Sequence, residues 1–277
     1  MRRDITVDKE GDGRILRSWL APHLPEVPSK GIRRAIQRGQ VIVDGDRVSS
    51  NLVLKEGQTV SVHIQDKFNN TPDIPGMSIL FEDDHLAAIF KPAGVEVHGS
   101  RGPLLVGAIK KIITLSPESD ALLNPAILHR LDKPTCGVLL IAKTRSSLKS
   151  LAGQFQSRSI IKEYLAVVHG TLESEISIDD PIDGKAASTK AMPHDVYKST
   201  RIEFGSTLKA FPSTGRKHQI RKHLAAHGHP IAGDKTYGKD DGINQLLLCA
   251  HSVTFEHPDG SEQSVSCNLP EFFACSR

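Results

Sequence analysis

Apolar positions near the start of the chain recur at helical spacing and then switch to the alternation of strands. Ile15, Leu16 and Trp19 share one helical face. A second helix is predicted from Ser29, a residue suited to an N-cap, with Ile32, Ala35 and Ile36 on its apolar side. VIVDGDRV then predicts a hairpin around Asp44-Gly45, and LKEGQTVSV a further strand after the turn at Glu56-Gly57. The polar segment 65–76, QDKFNNTPDIPG, carries two prolines and adjacent asparagines and reads as a linker. It separates a small module, residues 1–64, from a larger domain, residues 77–277.

In the larger part, ILFEDDHLAAIFKPAGVEVH predicts two strands around an acidic turn. AILHRLDKPTCGVLLIAK holds a nine-residue polar loop, His129–Gly137, between two apolar runs. TRSSLKSLAGQFQ places Leu148, Leu151 and Phe155 at helical spacing, IIKEYLAVVHG reads as a strand, and SVTFEHPDGSEQSV as a hairpin over Pro258-Asp259-Gly260. These strands follow one another without regular crossover helices. The expected fold is therefore α+β, with a mixed, largely antiparallel sheet and a central cleft, beside a small N-terminal α/β module.

Composition acts mainly by exclusion. No stretch approaches the roughly 18 apolar residues of a membrane span, and the charged start MRRDITVDKEGDG lacks the apolar run of a secretory signal. Cys136, Cys249, Cys267 and Cys275 are scattered without a CxxC pair, which argues against a disulfide framework or thiolate zinc site and for a reducing, cytoplasmic setting. His218, His223, His227 and His229 have no Cys or carboxylate completing a ligand set, so no metal is expected.

The formal net charge is only +3, so the placement of charge carries the information. Lys30, Arg34 and Arg38 fall at successive i,i+4 positions of the second predicted helix, with Arg33 alongside. Like charges so spaced repel, which leaves a solvated face or a phosphate-contacting ridge as the two readings. From Gly13 to Val62 the segment resembles the alpha-L motif, a small RNA-binding module shared with a small-subunit ribosomal protein; the resemblance rests on SKGIRRAIQRGQVIVDGDRV and LKEGQTVSV.

Three segments carry candidate chemistry. In HRLDKPTCG, Asp132 is either a turn former or a catalytic carboxylate held by Pro134 and Gly137 on a rigid loop. Around TGRKHQIRKHL, between Gly205 and Gly233, Lys209, Arg216, Lys217, Arg221 and Lys222 follow one another without an intervening acid. A helix starting near Lys217 turns Ile220 and Leu224 inward and gathers His218, Arg221 and Lys222 on one face, as a solvated surface or a polyphosphate receptor. In KEYLAVVHG, Tyr164 serves as packing or as a face for a nucleobase.

Together these three segments, with KPAGVEVH and GHPIAGDKTYG in order, resemble the pseudouridine synthase family that acts on large-subunit ribosomal RNA and some transfer RNA. The resemblance spans Ile79 to about Phe273. It implies isomerisation of uridine to pseudouridine without a cofactor, with Asp132 as essential carboxylate, Arg221 lying against it to favour its ionised form, and Tyr164 stacking on the base and aiding removal of the carbon-5 proton. His129, Arg130, Leu131 and Leu224 are then expected around the substrate pocket. Lys30, Arg33, Arg34, Arg38, Lys133, Arg216, Lys217 and Lys222 are expected to contact RNA, favouring ribosomal over transfer RNA, and the chain to act as a monomer. Cys136 departs from the family's usual serine, Lys217 from threonine and Cys249 from histidine. Two other readings are a non-catalytic RNA-binding or ribosome-assembly protein and a hydrolase built on His129 and Asp132; the latter lacks an activated serine of GxSxG type.

Overall fold

Residues 2–24, 27, 29–50, 52–63, 73–97, 105–197 and 205–274 are described by the computed structural model. Two units divide the chain, Met1–Thr71 and Pro72–Arg277. Most of the predicted linker, residues 65–72, lies outside the described residues.

In the first unit, β1 (Arg2–Thr6) is followed by α1 (Leu16–His23), α2 (Ser29–Gln37), β2 (Val41–Val43), β3 (Asp46–Val48) and β4 (Thr59–His63). The strands form an antiparallel sheet in the order β1-β4-β2-β3. Asp44 and Gly45 both take positive φ (51° and 92°), the geometry a two-residue hairpin turn requires. Leu16, Trp19 and Leu20 of α1 and Ile32 and Ile36 of α2 pack on Val41, Val43, Val60 and Val62. Ile15 does not join the helix: its backbone stays extended and its side chain is exposed. Strand β1 leaves little trace in the sequence, because RRDIT holds a single apolar residue, Ile5, and so shows no alternation.

The second unit comprises β5 (Ser78–Glu82), β6 (Leu86–Lys91), α3 (Leu105–Ile112), β7 (Ala121–Ile127), β8 (Cys136–Thr144), α4 (Arg145–Ser157), β9 (Ile161–His169), β10 (Ile176–Ile178), β11 (Thr189–Tyr197), β12 (Gly205–Pro212), α5 (Gln219–Ala226), β13 (Leu248–Glu256), β14 (Glu262–Ser266) and α6 (Glu271–Ala274). Among the described residues ten strands join one sheet, ordered β10-β11-β12-β9-β13-β8-β6-β5, with β14 on β13 and β7 on β8. The mixed, largely antiparallel α+β fold expected from the sequence is the one present.

Why the strands read as continuous apolar runs follows from burial on both faces. On β8, Val138 and Leu140 enter one core while Leu139 and Ile141 enter another; on β6, Leu86 and Ala88 separate from Ala87 and Ile89 in the same way. Leu151 of α4 covers the first core, and Leu105, Ala108 and Ile109 of α3 the second. Thr144 starts α4 with a capping box, its hydroxyl accepting the Ser147 N–H while Ser147 reaches back to the Thr144 N–H.

The large sheet has one parallel pairing, β8 with β13, where Cys136 faces Cys249 and Gly137 faces Ala250. Gly137 has φ 123°, and a Cβ there would stand 2.2 Å from the Ala250 carbonyl oxygen. The cysteines that are scattered in sequence meet at this seam: Cys136, Cys249 and Cys267 are buried free thiols, with the Cys249 and Cys267 sulfurs 3.7 Å apart. Cys275 lies outside the described residues.

Gly137→Ala is expected to destabilise the protein by about 3 kcal/mol or more, through backbone clash and left-handed strain. Gly153→Ala, on an exposed and uncrowded turn of α4, should instead stabilise by about 0.5–1 kcal/mol. Thermal melts of the two variants against the unaltered chain check both signs.

Candidate active site

The loop between β7 and β8 is fastened by its own histidine. After Ile127 pairs with Ile141, Leu128 N–H bonds the Leu140 carbonyl, and the next link comes from a side chain: Leu140 N–H donates to His129 Nε2 at 3.0 Å. Burial, and then the Lys162 cation, push the His129 pKa down to about 3. Its ring packs on Phe155. A neutral imidazole whose Nε2 is committed to a backbone amide cannot serve as the base of a His129/Asp132 hydrolase pair, so that reading is set aside.

Beyond His129 the chain turns, with Thr135 N–H bonding the Asp132 carbonyl at 3.1 Å. A buried lysine holds this turn from below. Lys91, at the end of β6, donates to the carbonyls of Pro92 and Val95 at 2.9 Å each and of Lys133 at 3.4 Å. Burial lowers its pKa to about 8, opposed by Cys136 and Asp132. The sequence reading assigned Lys91 no role; its signal was a lysine ending the apolar strand LAAIFK.

Asp132 projects into an open cavity of ≈ 450 Å³. Leu131, His129 and Arg130 line its loop side, Phe155 and Arg158 the end of α4, Lys162 and Tyr164 strand β9, and Arg216, Lys217 and Ile220 the approach to α5. Asp132 is the one carboxylate in this lining. Among the described residues no hydrogen-bond donor reaches its side chain; the His218 ring approaches it, Nε2 lying 3.9 Å from Oδ1, and burial holds the His218 pKa below the ordinary histidine value. Strand β13 separates β8 from β9, so the loop entering β8 and Tyr164, opposite Ala250 in β13, face the same opening.

Tyr164 packs between two of the domain's cores. Burial, then the nearby Asp132 charge, raise its pKa well above the ordinary phenol value. It offers the cavity a ring face and a protonated hydroxyl. The expected help in removing a proton cannot come from a phenolate, which this environment disfavours.

Arg221 departs from expectation. Its Nε and Nη2 donate to Asp234 Oδ2 and Oδ1 at 2.7 Å each, a bidentate pair buried at both ends. Burial works against ionisation of Asp234, but the Arg221 bonds and the N–H groups of Thr236 and Tyr237 outweigh it and keep its pKa below the usual range. Asp132 therefore feels the Arg221 charge without being its partner. Tyr237 underlies Arg221 at 5.0 Å and bonds His218 Nδ1 at 2.9 Å. Asp234 was missed in the sequence, although it is the first acid after a long basic run.

Other expectations also shift. Helix α5 starts at Gln219, not near Lys217, with His218 as N-cap at φ 56°. The basic residues have separate partners: Arg221 pairs with Asp234, and Lys222 with Asp183 at 3.0 Å, away from the cavity lining. Leu224 is fully buried among Ala166, Val168 and Leu208 and does not line the cavity; Ile220, one turn earlier, does. Lys133 lies outside the lining, 4.0 Å from Glu96. Gln219, unassigned in the sequence, fixes the loop before α5: its Oε1 accepts from Thr214 Oγ1 (2.6 Å) and Arg216 N–H (3.0 Å), while its Nε2 donates to Ser188 O (2.8 Å) and Thr189 Oγ1 (3.0 Å). Cys136 is sealed in the core, its thiol directed at the Leu248 carbonyl, so the exchanged hydroxyl is a packing matter. In the first unit Arg33, Arg34 and Arg38 are exposed and have no acidic partner among the described residues; the Lys30 side chain is outside them.

Residues 85–226 match the family model for RNA pseudouridylate synthase, a span holding Asp132, Tyr164 and Arg221. Ribosomal large subunit pseudouridine synthase C of Haemophilus influenzae is 34% identical, over 93% of this chain and 88% of that protein. The protein of the same name from Escherichia coli is 33% identical, over 93% and 89%. Among solved structures, human RNA pseudouridylate synthase domain containing 1 shares the fold with TM-score 0.61 and 23% identity, over 74% of this chain and 89% of that one. Human RNA pseudouridylate synthase domain containing 4 gives 0.58 and 24%, over 72% and 91%. With a loop-borne aspartate, a cavity-lining tyrosine and a basic cavity rim carried on this sheet, and with relatives matching nearly end to end, the chain belongs to the RNA pseudouridylate synthase family.

Proposed function

We propose that this enzyme isomerises a uridine of large-subunit ribosomal RNA to pseudouridine, with Asp132 as the carboxylate that acts on the ribose. The observation that carries the residue assignment is Asp132 itself: a lone acid in a cationic cavity, with no protein donor on its oxygens among the described residues and a tyrosine face beside it. The reaction breaks the bond from the anomeric carbon to N1 and forms one to carbon-5. The proton leaving carbon-5 is matched by one gained at N1, so the change is balanced within one nucleoside and needs no redox partner. Tyr164 supplies the surface for the turned base.

Arg221 acts as a positioning residue. Its Nε and Nη2 are committed to Asp234 and not to Asp132, and its guanidinium braces Tyr237 and, through it, His218. Extruding a base from structured RNA costs a few kcal/mol. Arg130, Arg216 and Lys217 at the cavity and Arg33, Arg34 and Arg38 on the first unit provide the phosphate contacts that offset it. The ribosomal target is supported by the names of the relatives and by the exposed arginines of the first unit. Three buried free thiols support a reducing, cytoplasmic setting.

Asp132→Asn is expected to bind RNA as the unaltered chain does and to lose at least about a thousand-fold in product formation; substantial pseudouridine from this variant would overturn the assignment. Mapping pseudouridines across total RNA with and without the gene should remove one or a few sites in large-subunit ribosomal RNA. Losses confined to transfer RNA would reject the ribosomal target and keep the chemistry. Arg34→Glu combined with Arg38→Glu should weaken RNA affinity about ten-fold or more and flatten its salt dependence by about two in log–log slope, with the melting temperature unchanged.

A further inference from the structure

The cavity lining carries Arg130, Arg158, Lys162, Arg216 and Lys217 against the single acid Asp132. Two of these cations form an unbalanced pair. Lys162 is partly buried at the start of β9, and its ammonium has one protein acceptor among the described residues, the Thr214 carbonyl at 3.2 Å. Among the described residues no acceptor meets the Arg158 guanidinium. The adjacent acid, Glu163, points to the other face of the strand and is taken by Lys209 at 3.2 Å. Burial, and then the Arg158 charge, hold the Lys162 pKa below the ordinary lysine value.

Arg158 sits at the C-cap of α4 in the left-handed region, φ 64°, where glycine is favoured because it carries no Cβ. An arginine kept there places a cation over the cavity from a fixed backbone position. Lys162 and Tyr164 are two apart on one strand, so their side chains share a face about 7 Å apart. A nucleotide whose base lies on Tyr164 and whose sugar meets Asp132 brings its backbone toward Lys162 and Arg158.

We infer that Arg158 and Lys162 form a phosphate subsite that grips a phosphodiester flanking the extruded uridine. The inference rests on RNA as the substrate and deepens the proposed function by assigning residues the sequence had not marked for RNA contact. The two free N–H donors of the Lys162 ammonium and the unpaired fork of Arg158 suit the non-bridging oxygens of one phosphate.

The test uses the full chain and a short RNA bearing its mapped uridine, made with ordinary linkages and with a neutral methylphosphonate on either side of that uridine in turn. Arg158→Gln and Lys162→Met should each raise Kd about ten-fold and reduce the salt slope by about one. One of the two neutral linkages should weaken the unaltered chain by a similar factor and cost Lys162→Met nothing further, and Lys162→Arg should restore affinity. Unchanged Kd and slope, or an equal penalty from the neutral linkages in variant and parent, would overturn the subsite. Should Lys162→Met melt early, Arg158→Gln, at an exposed helix end, decides the matter by the same cycle. If the unaltered chain converts no uridine in any RNA, the proposed function fails and the subsite with it; conversion by the parent with insensitive variants rejects the subsite alone.

Discussion

Strands β8 and β13 can lie side by side in parallel only because residue 137 has no side chain. At that point the backbone of Ala250 occupies the space a Cβ would need, and Asp132 lies five residues earlier, in the loop that leads into β8. The contact brings the entry to β8 level with the middle of β9, one strand further along, so the acid and the tyrosine reach one opening from strands that are not neighbours. Lys91 from the other flank then ties the Asp132–Thr135 turn to the strand it leaves. The position of the carboxylate is thus a property of sheet packing.

Electrostatic division of labour follows from that placement. The strongest pairing in the neighbourhood, Arg221 with Asp234, is internal to the wall and satisfies itself. His129 and Tyr164 are held neutral by burial. What remains facing the opening is one carboxylate among several cations, a field suited to a polyanion whose reacting sugar must approach a negative oxygen. Had Arg221 bound Asp132 through both nitrogens, the oxygens proposed to act at the ribose would have been occupied.

Much of this was legible in the chain. Alternation and turn residues gave the hairpin at Asp44-Gly45, the two strands around Asp83, helix α4 and the strand of Tyr164, because each is decided locally. The loop bearing Asp132 stands out as a polar stretch between apolar runs. Features that depend on three-dimensional pairing were not legible. The partner of Arg221 lies thirteen residues away across a loop, and nothing in a linear pattern distinguishes Asp234 from Asp132 as its acceptor. The left-handed backbone at His218 delays the start of α5 to Gln219, and the depth to which Leu224 sinks into the core and the acid that meets Lys222 are set by the elements α5 packs against. Strand β1 exists because β4 offers it an edge, a fact absent from RRDIT itself.

The imidazole of His129 stands in for a peptide carbonyl, extending the β7–β8 ladder by one rung where the main chain has already begun to leave it. Genetic screens that score this position by lost modification would report a folding lesion in the guise of a chemical one. A replacement able to accept from the Leu140 amide should therefore be tolerated in proportion to its shape and acceptor geometry, irrespective of whether it can carry a proton.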